Sequence, residues 1–258
     1  MKDIVFLHGA GHGSWCWSPL LAELRKTPAL FGRLITLDEP GAGNKRGQDS
    51  SKETISSIAR ALNDELRAAH IRNAVLVGHS LAGVLLPMMA AEDPFLFSDL
   101  IFLQTIAPKE GQTMHDQMGR GLHGEDPERV GYPFDPSNMP APELYTALFG
   151  VDFNEEQLHW LLAEMAQDAT PMALLEETVT RKGYDPALFR TVYVLAKRDP
   201  ILPPVWQRRF AERLGCRQIV EIDTPHEAFI SHPKLLADTL CALVSRQCQA
   251  AGTEGASN

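Results

Sequence analysis

Ser80 stands in the run Gly78-His79-Ser80-Leu81-Ala82-Gly83, between the apolar stretch Ala74-Val75-Leu76-Val77 and a second one from Val84 to Ala91. The pattern reads as strand, sharp turn and helix. Such a turn strains the backbone at the serine and lifts its hydroxyl to a helix N-terminus, where exposed N–H groups favour developing negative charge. The residues two before and two after the serine must then be small, as Gly78 and Ala82 are. The usual pattern, G-x-S-x-G, is met with alanine in its last place and Gly83 one step later. The plainer alternative is a serine N-cap on an ordinary strand-to-helix loop. Pro87 falls inside the following helix and is expected to kink it.

A serine hydroxyl is a weak nucleophile near neutral pH, so it needs a base, and the base needs a carboxylate to set its tautomer. In sites of this kind the chain order is serine, acid, histidine. Downstream of Ser80 the histidines are His115, His123, His159, His226 and His232. His226 lies in the loop after the last strand run, Gln218-Ile219-Val220-Glu221-Ile222, and is the candidate base, whereas His232 precedes Pro233 at a helix entry. Asp199 follows the run Thr191-Val192-Tyr193-Val194-Leu195-Ala196, at the strand end where ligand chemistry gathers in parallel sheets. It is the candidate acid. Asp223, three residues from His226, is its rival, and Asp38 reads as a turn residue before Pro40 and Gly41.

The first apolar run ends in His8-Gly9-Ala10-Gly11-His12-Gly13-Ser14-Trp15, whose glycines let backbone N–H groups approach a ligand closely. The N–H groups of Ala10 and of Leu81, the residue after the serine, are the candidate oxyanion hole. The spacing G-x-G-x-G is not the dinucleotide fingerprint. His8 and His12 are four apart, but the glycines between them deny the helix that would make them a metal pair. His226-Glu227 is likewise followed by a histidine only at His232, so no metal or other cofactor is expected.

The elements that must position these residues alternate. Strands are expected at 3–7, 33–37, 74–78, 99–104, 190–196 and 217–222, with helices at 52–69, 81–92, 204–214 and 234–247. This is a mainly parallel six-stranded α/β sheet with helices on both faces. Residues 107–185 break the alternation, beginning rich in Met, Gly and Pro and turning helical over 154–168 and 171–181. An inserted helical cap is expected there, with core at 1–106 and 186–249. Met114, Met118, Phe134, Met139, Phe149 and Trp160 offer the cap an apolar inner wall. The small polar residues 250–258 are expected to be a disordered tail.

A formal charge of −9 argues against a nucleic-acid or anionic-membrane partner. The opening apolar run Ile4-Val5-Phe6-Leu7 is too short for a signal core or a membrane span, so a cytoplasmic location is expected. The four cysteines, Cys16, Cys216, Cys241 and Cys248, have no metal or redox spacing and read as free thiols.

With these residues in view, the chain resembles the α/β-hydrolase branch that holds the plant methyl-salicylate and methyl-jasmonate esterases and the hydroxynitrile lyases. The likeness rests on His8 to Trp17, on Val75 to Gly83, on Asp199 with Ile201, Leu202 and Pro203, and on His226 with Pro233. It is weak through the cap. It implies the α/β-hydrolase fold, no cofactor and often a homodimer, with Ser80, Asp199 and His226 as triad and a small-molecule ester as substrate. Carbon–carbon or amide bond cleavage, a lyase and a low-turnover receptor share the same machinery. By the same resemblance, lyases of one group carry threonine where this chain has Gly9 and lysine where it has Glu227. An open loop at Gly9 and a carboxylate at Glu227, repelling departing cyanide, therefore favour an esterase.

Overall fold

The computed structural model describes residues 1–254, and side chains as far as residue 245. Six strands form one sheet: β1 (Lys2–Leu7), β2 (Phe31–Leu37), β3 (Ala74–His79), β4 (Phe97–Leu103), β5 (Arg190–Ala196) and β6 (Gln218–Ile222). All neighbours are parallel, in the order β2-β1-β3-β4-β5-β6. The expected strand bounds are met to within one or two residues. In chain order the helices are α1 (Ser18–Leu24), α2 (Ile55–Ala68), α3 (Leu85–Glu92), α4 (Met114–Met118), α5 (Ala141–Phe149), α6 (Glu155–Met165), α7 (Ala173–Glu176), α8 (Pro204–Arg213), α9 (Ala228–Ser231) and α10 (Pro233–Glu254).

Strand residues alternate between two cores. Val5, Leu7, Leu76, Leu100, Phe102, Tyr193 and Leu195 pack with α2, α3 and α8 on one face of the sheet. Ile4, Phe6, Val75, Val77, Ile101, Leu103, Val192 and Val194 pack with α1 and α10 on the other. Burial on both faces is why β1, β3, β4 and β5 read as largely apolar runs. Helix α2 begins at a capping box between Thr54 and Ser57 and buries Ile55, Ile58, Ala59, Leu62 and Leu66, the helical spacing seen in the sequence.

Several expectations change. Pro87 does not kink a long helix: a 3₁₀ turn over Ser80–Gly83 comes first, and Pro87 is the third residue of α3. In a first turn its missing N–H has no intrahelical acceptor to lose. The helix expected over 171–181 shrinks to α7, while α4 and α5 form where only loop was expected. α4 is set by a capping box from Thr113 to Asp116 and α5 by proline in its first turn. α10 runs past Ala250 to Glu254; of the expected disordered tail, residues 255–258 lie outside the described residues. Cys16, Cys216 and Cys241 are free, and Cys248 lies beyond the described side chains. Among the described residues no helix is long and apolar enough to cross a membrane.

Candidate active site

The sheet order reverses between β1 and β3, and ligands in open parallel sheets bind at such a switch point, outside the strands' carboxyl ends. Leu7 pairs with Gly78 there, so the loop after β1 and the turn after β3 emerge side by side. Ser80 sits on that turn with φ +51°, a left-handed conformation that costs energy for a residue with a side chain. Packing explains the small neighbours. A β-carbon on Gly78 would stand 2.3 Å from Leu86 and 3.0 Å from that of Ala82, and one on Gly83 would stand 2.1 Å from the Ile106 carbonyl. Position 82 tolerates its methyl group, and the strict need for glycine falls one residue later.

The structure brings Ser80, His226 and Asp199 together. Ser80 Oγ lies 3.0 Å from His226 Nε2, and His226 Nδ1 donates to Asp199 Oδ2 at 2.6 Å. The backbone prolongs the β5–β6 pairing past both strands, with Lys197 and Arg198 donating to Ile222 and Thr224, which holds the two loops in register. The other carboxylate oxygen of Asp199 accepts the amides of Ile201 and Leu202 at 2.8 and 2.9 Å. Asp223, the rival acid, is largely exposed and pairs with Arg198. Burial pulls the His226 pKa down, but the carboxylate of Asp199 more than reverses this, and the net shift is upward.

Ala10 and Leu81 both line the cavity in front of Ser80. The amide of Ala10 has no acceptor among the described residues, and that of Leu81 falls in the first turn after the elbow, where no intrahelical acceptor exists. Gly9 does not leave this loop open, as expected, but packs it closely: a β-carbon there would lie 2.8 Å from Cβ of Ser80. Glycine is what lets the loop backbone lie against the serine.

Other buried groups near the serine were not singled out by sequence. His79 donates through Nε2 to the carbonyl of His226 at 3.2 Å, which steadies the histidine loop. Asp38 is no turn residue: it is buried and accepts from the amide and hydroxyl of Ser14 and from Asn44, tying down the glycine loop. Asp168, just beyond α6, has a covered side chain that accepts from Trp15 Nε1 at 2.5 Å, Gly43 N at 3.0 Å and Arg46 Nε at 2.5 Å. A segment between β4 and β5 is thereby fastened to the loops after β1 and β2.

Glu227 is the larger surprise. It is fully buried beside the cavity, where desolvation above all raises its pKa to about 8. Near neutral pH it is a neutral acid and not the repelling carboxylate expected. Donor atoms of His79, His226 and Glu227 lie within 4.8 Å of one another, as a metal site requires. Both ring nitrogens of His226 are engaged by Asp199 and Ser80, however, and an ion there would have to displace one of them.

The cavity in front of Ser80 has a volume of about 130 Å³. Its wall is mostly apolar: Leu81, Ile106, Ile201 and Leu202 from the sheet side, Met114, Met118, Leu148 and Phe149 from the segment between β4 and β5. Of the apolar candidates in that segment, Phe134, Met139 and Trp160 do not line it. Trp160 instead packs edge-on against Trp15 at 5.1 Å.

The alpha/beta hydrolase family model matches residues 4–239. The chain belongs to that family. It is 24% identical over 253 residues to a carbendazim hydrolyzing esterase of Nocardioides sp. (strain SG-4G), covering 94% of this chain and all of that one. It is 26% identical to methylesterase 17 of Arabidopsis thaliana, covering 90% and 87% of the two chains. Among solved structures it is similar to an extracellular alpha/beta-hydrolase from a Paenibacillus species, with TM-score 0.74, 18% identity and coverage of 93% and 98%. The Arabidopsis methylesterase MES16 gives TM-score 0.70 at 23% identity, covering 95% and 99%.

Proposed function

We propose that this hydrolase cleaves a small or medium, largely apolar carboxylic ester through an acyl-enzyme on Ser80. The observation that carries the reading is the unbroken hydrogen-bond chain from Ser80 Oγ through His226 to Asp199, on a strained turn at the floor of an apolar cavity. Ser80 Oγ attacks the carbonyl as His226 Nε2 takes its proton, and Asp199 holds Nδ1–H and stabilises the imidazolium. The N–H groups of Ala10 and Leu81 receive the oxyanion. His226 then protonates the leaving alcohol, and water, deprotonated by the same nitrogen, releases the acid.

Esterases among the full-length relatives support the reaction class. A cyanide-releasing lyase is less well served, because the residues lining the cavity include no lysine or arginine to receive the departing anion. Turnover of chromogenic aryl esters of several acyl lengths, set beside mandelonitrile cleavage, tests the reading. Ester cleavage that exceeds cyanide release and falls by about 10⁴-fold or more in Ser80→Ala and His226→Ala is expected. Wild-type hydrolysis no faster than that of Ser80→Ala would overturn it.

A further inference from the structure

The chemistry described above uses Ser80, His226, Asp199 and two amides, and leaves a second set of buried polar atoms in the same cavity without partners. Both carboxyl oxygens of Glu227, Nε2 of His12 and Nδ1 of His79 have no hydrogen-bond partner among the described residues. All three side chains are at most 1% exposed and line the cavity, and His12 Nε2 stands 3.6 Å from Glu227 Oε2. That gap is too long for a direct hydrogen bond. Buried polar groups without partners are uncommon and costly, so such a cluster in a ligand cavity is a site awaiting its ligand.

Counting protons gives the ligand's chemistry. His12 spends its Nδ1–H on the carbonyl of Ala10 at 2.9 Å, and His79 spends its Nε2–H on the carbonyl of His226. The free nitrogen of each ring is therefore an acceptor. Burial holds His12 down at about 4 and Glu227 up at about 8, so near neutral pH the pair shares only the acid proton. Across the unpartnered atoms acceptors outnumber donors, whichever of them that proton faces. A ligand group that completes the set must bring an O–H or N–H.

The placement of these atoms points to where on the substrate that group lies: Glu227 and His12 line the same small cavity as Ser80, and Glu227 lies beside His226 with ligating atoms of the two within 4.8 Å. The rest of the wall is apolar except for Tyr132. We propose that Glu227 and His12 form a donor-recognising subsite that selects esters with a hydroxyl or N–H group next to the scissile carbonyl. This rests on the ester reading above and names its substrate class.

Methyl mandelate and its O-methyl ether form the test pair: the ether keeps the oxygen and puts a methyl group in place of the donor hydrogen, and the Glu227 variants separate loss of the donor from the added bulk. Wild-type protein should favour the hydroxy ester in kcat/KM by about tenfold or more, as expected when a buried acceptor gains its donor. Glu227→Leu should bring the ratio to within about twofold of unity, and Glu227→Gln, which keeps an acceptor oxygen, should preserve most of it. Equal rates for the two esters in wild type would overturn the proposal, as would a Glu227→Leu variant that slows both alike, since Glu227 would then act through His226. Binding of the same pair to Ser80→Ala by calorimetry decides the subsite without turnover. Tighter binding of the hydroxy ester there is expected even if the ester reading fails, and equal binding contradicts the subsite.

Discussion

Asp199 turns one carboxylate oxygen to His226 Nδ1 at 2.6 Å and gives the other to the amides of Ile201 and Leu202. The carboxylate is thus held by its own loop as well as by the histidine. Asp199→Asn should lower kcat by about 10⁴-fold, because an amide in this place favours the wrong imidazole tautomer. Asp223→Asn, at an exposed ion pair with Arg198, should stay within about twofold of wild type. Steady-state kinetics of the two variants check the assignment, and the reverse ranking would contradict it.

The raised pKa of His226 predicts a pH profile. The imidazole must be neutral to take the proton of Ser80, so kcat/KM falls as pH drops through the histidine's pKa. Because the shift is upward, the midpoint of this acid limb should lie above the ordinary 6.5. Asp199→Asn removes the charge that raises it and should move the limb of its residual activity downward.

Glu39 links pH to stability. It is buried with Oε1 unpartnered, and desolvation first, then the charge of Asp38, raises its pKa from 4.5 to about 8. Between those values the unfolded chain has released a proton that the folded chain keeps. The contribution of Glu39 is therefore full below about pH 4.5 and is lost as pH rises towards 8, by up to about 1.4 kcal/mol per pH unit. Glu39→Gln should gain on wild type in urea unfolding as pH rises from about 5 to 8. A gap that does not change with pH would contradict this; comparing variant with wild type cancels the other titrating groups.

Asp168 predicts how the β4–β5 segment is held. Asp168→Ala strands the donors of Trp15, Gly43 and Arg46, each of which now ends on that carboxylate. The loss of this acceptor should cost about 1–3 kcal/mol, since Arg46 is part-exposed and keeps Glu164. We expect faster proteolytic nicking within 107–185 and a KM that rises more than kcat falls, since Met114, Met118, Leu148 and Phe149 would lose their places on the cavity wall. Unchanged nicking and KM would contradict the fastening role.

How much of this was legible in the sequence depends on the range of the interactions. Strands buried on both faces, such as Val75-Leu76-Val77, announce themselves locally, and the turn at Gly78 to Gly83 carries its own steric signature. The candidates Ser80, Asp199 and His226 stood out because each sits past the end of a strand, the first two after strands buried on both faces and His226 after the edge strand β6. Glu227, Glu39, Asp38 and the side chain of Asp168 could not, because charged residues are exposed by default and only tertiary packing covers these. The glycine at position 9 was visible, but its neighbour Ser80, 71 positions on, was not. Pro87 was misread for a local reason: one proline does not tell whether it stands inside a helix or in its first turn.

The central claim is an acyl-enzyme on Ser80, and rapid-quench mass spectrometry with p-nitrophenyl acetate tests it most directly. The account predicts a burst of p-nitrophenol approaching one equivalent per active site, with the acetyl group mapped to the peptide bearing Ser80 and absent in Ser80→Ala. Ester turnover at the wild-type rate with no acetyl group on Ser80, or the same burst in Ser80→Ala, would contradict it.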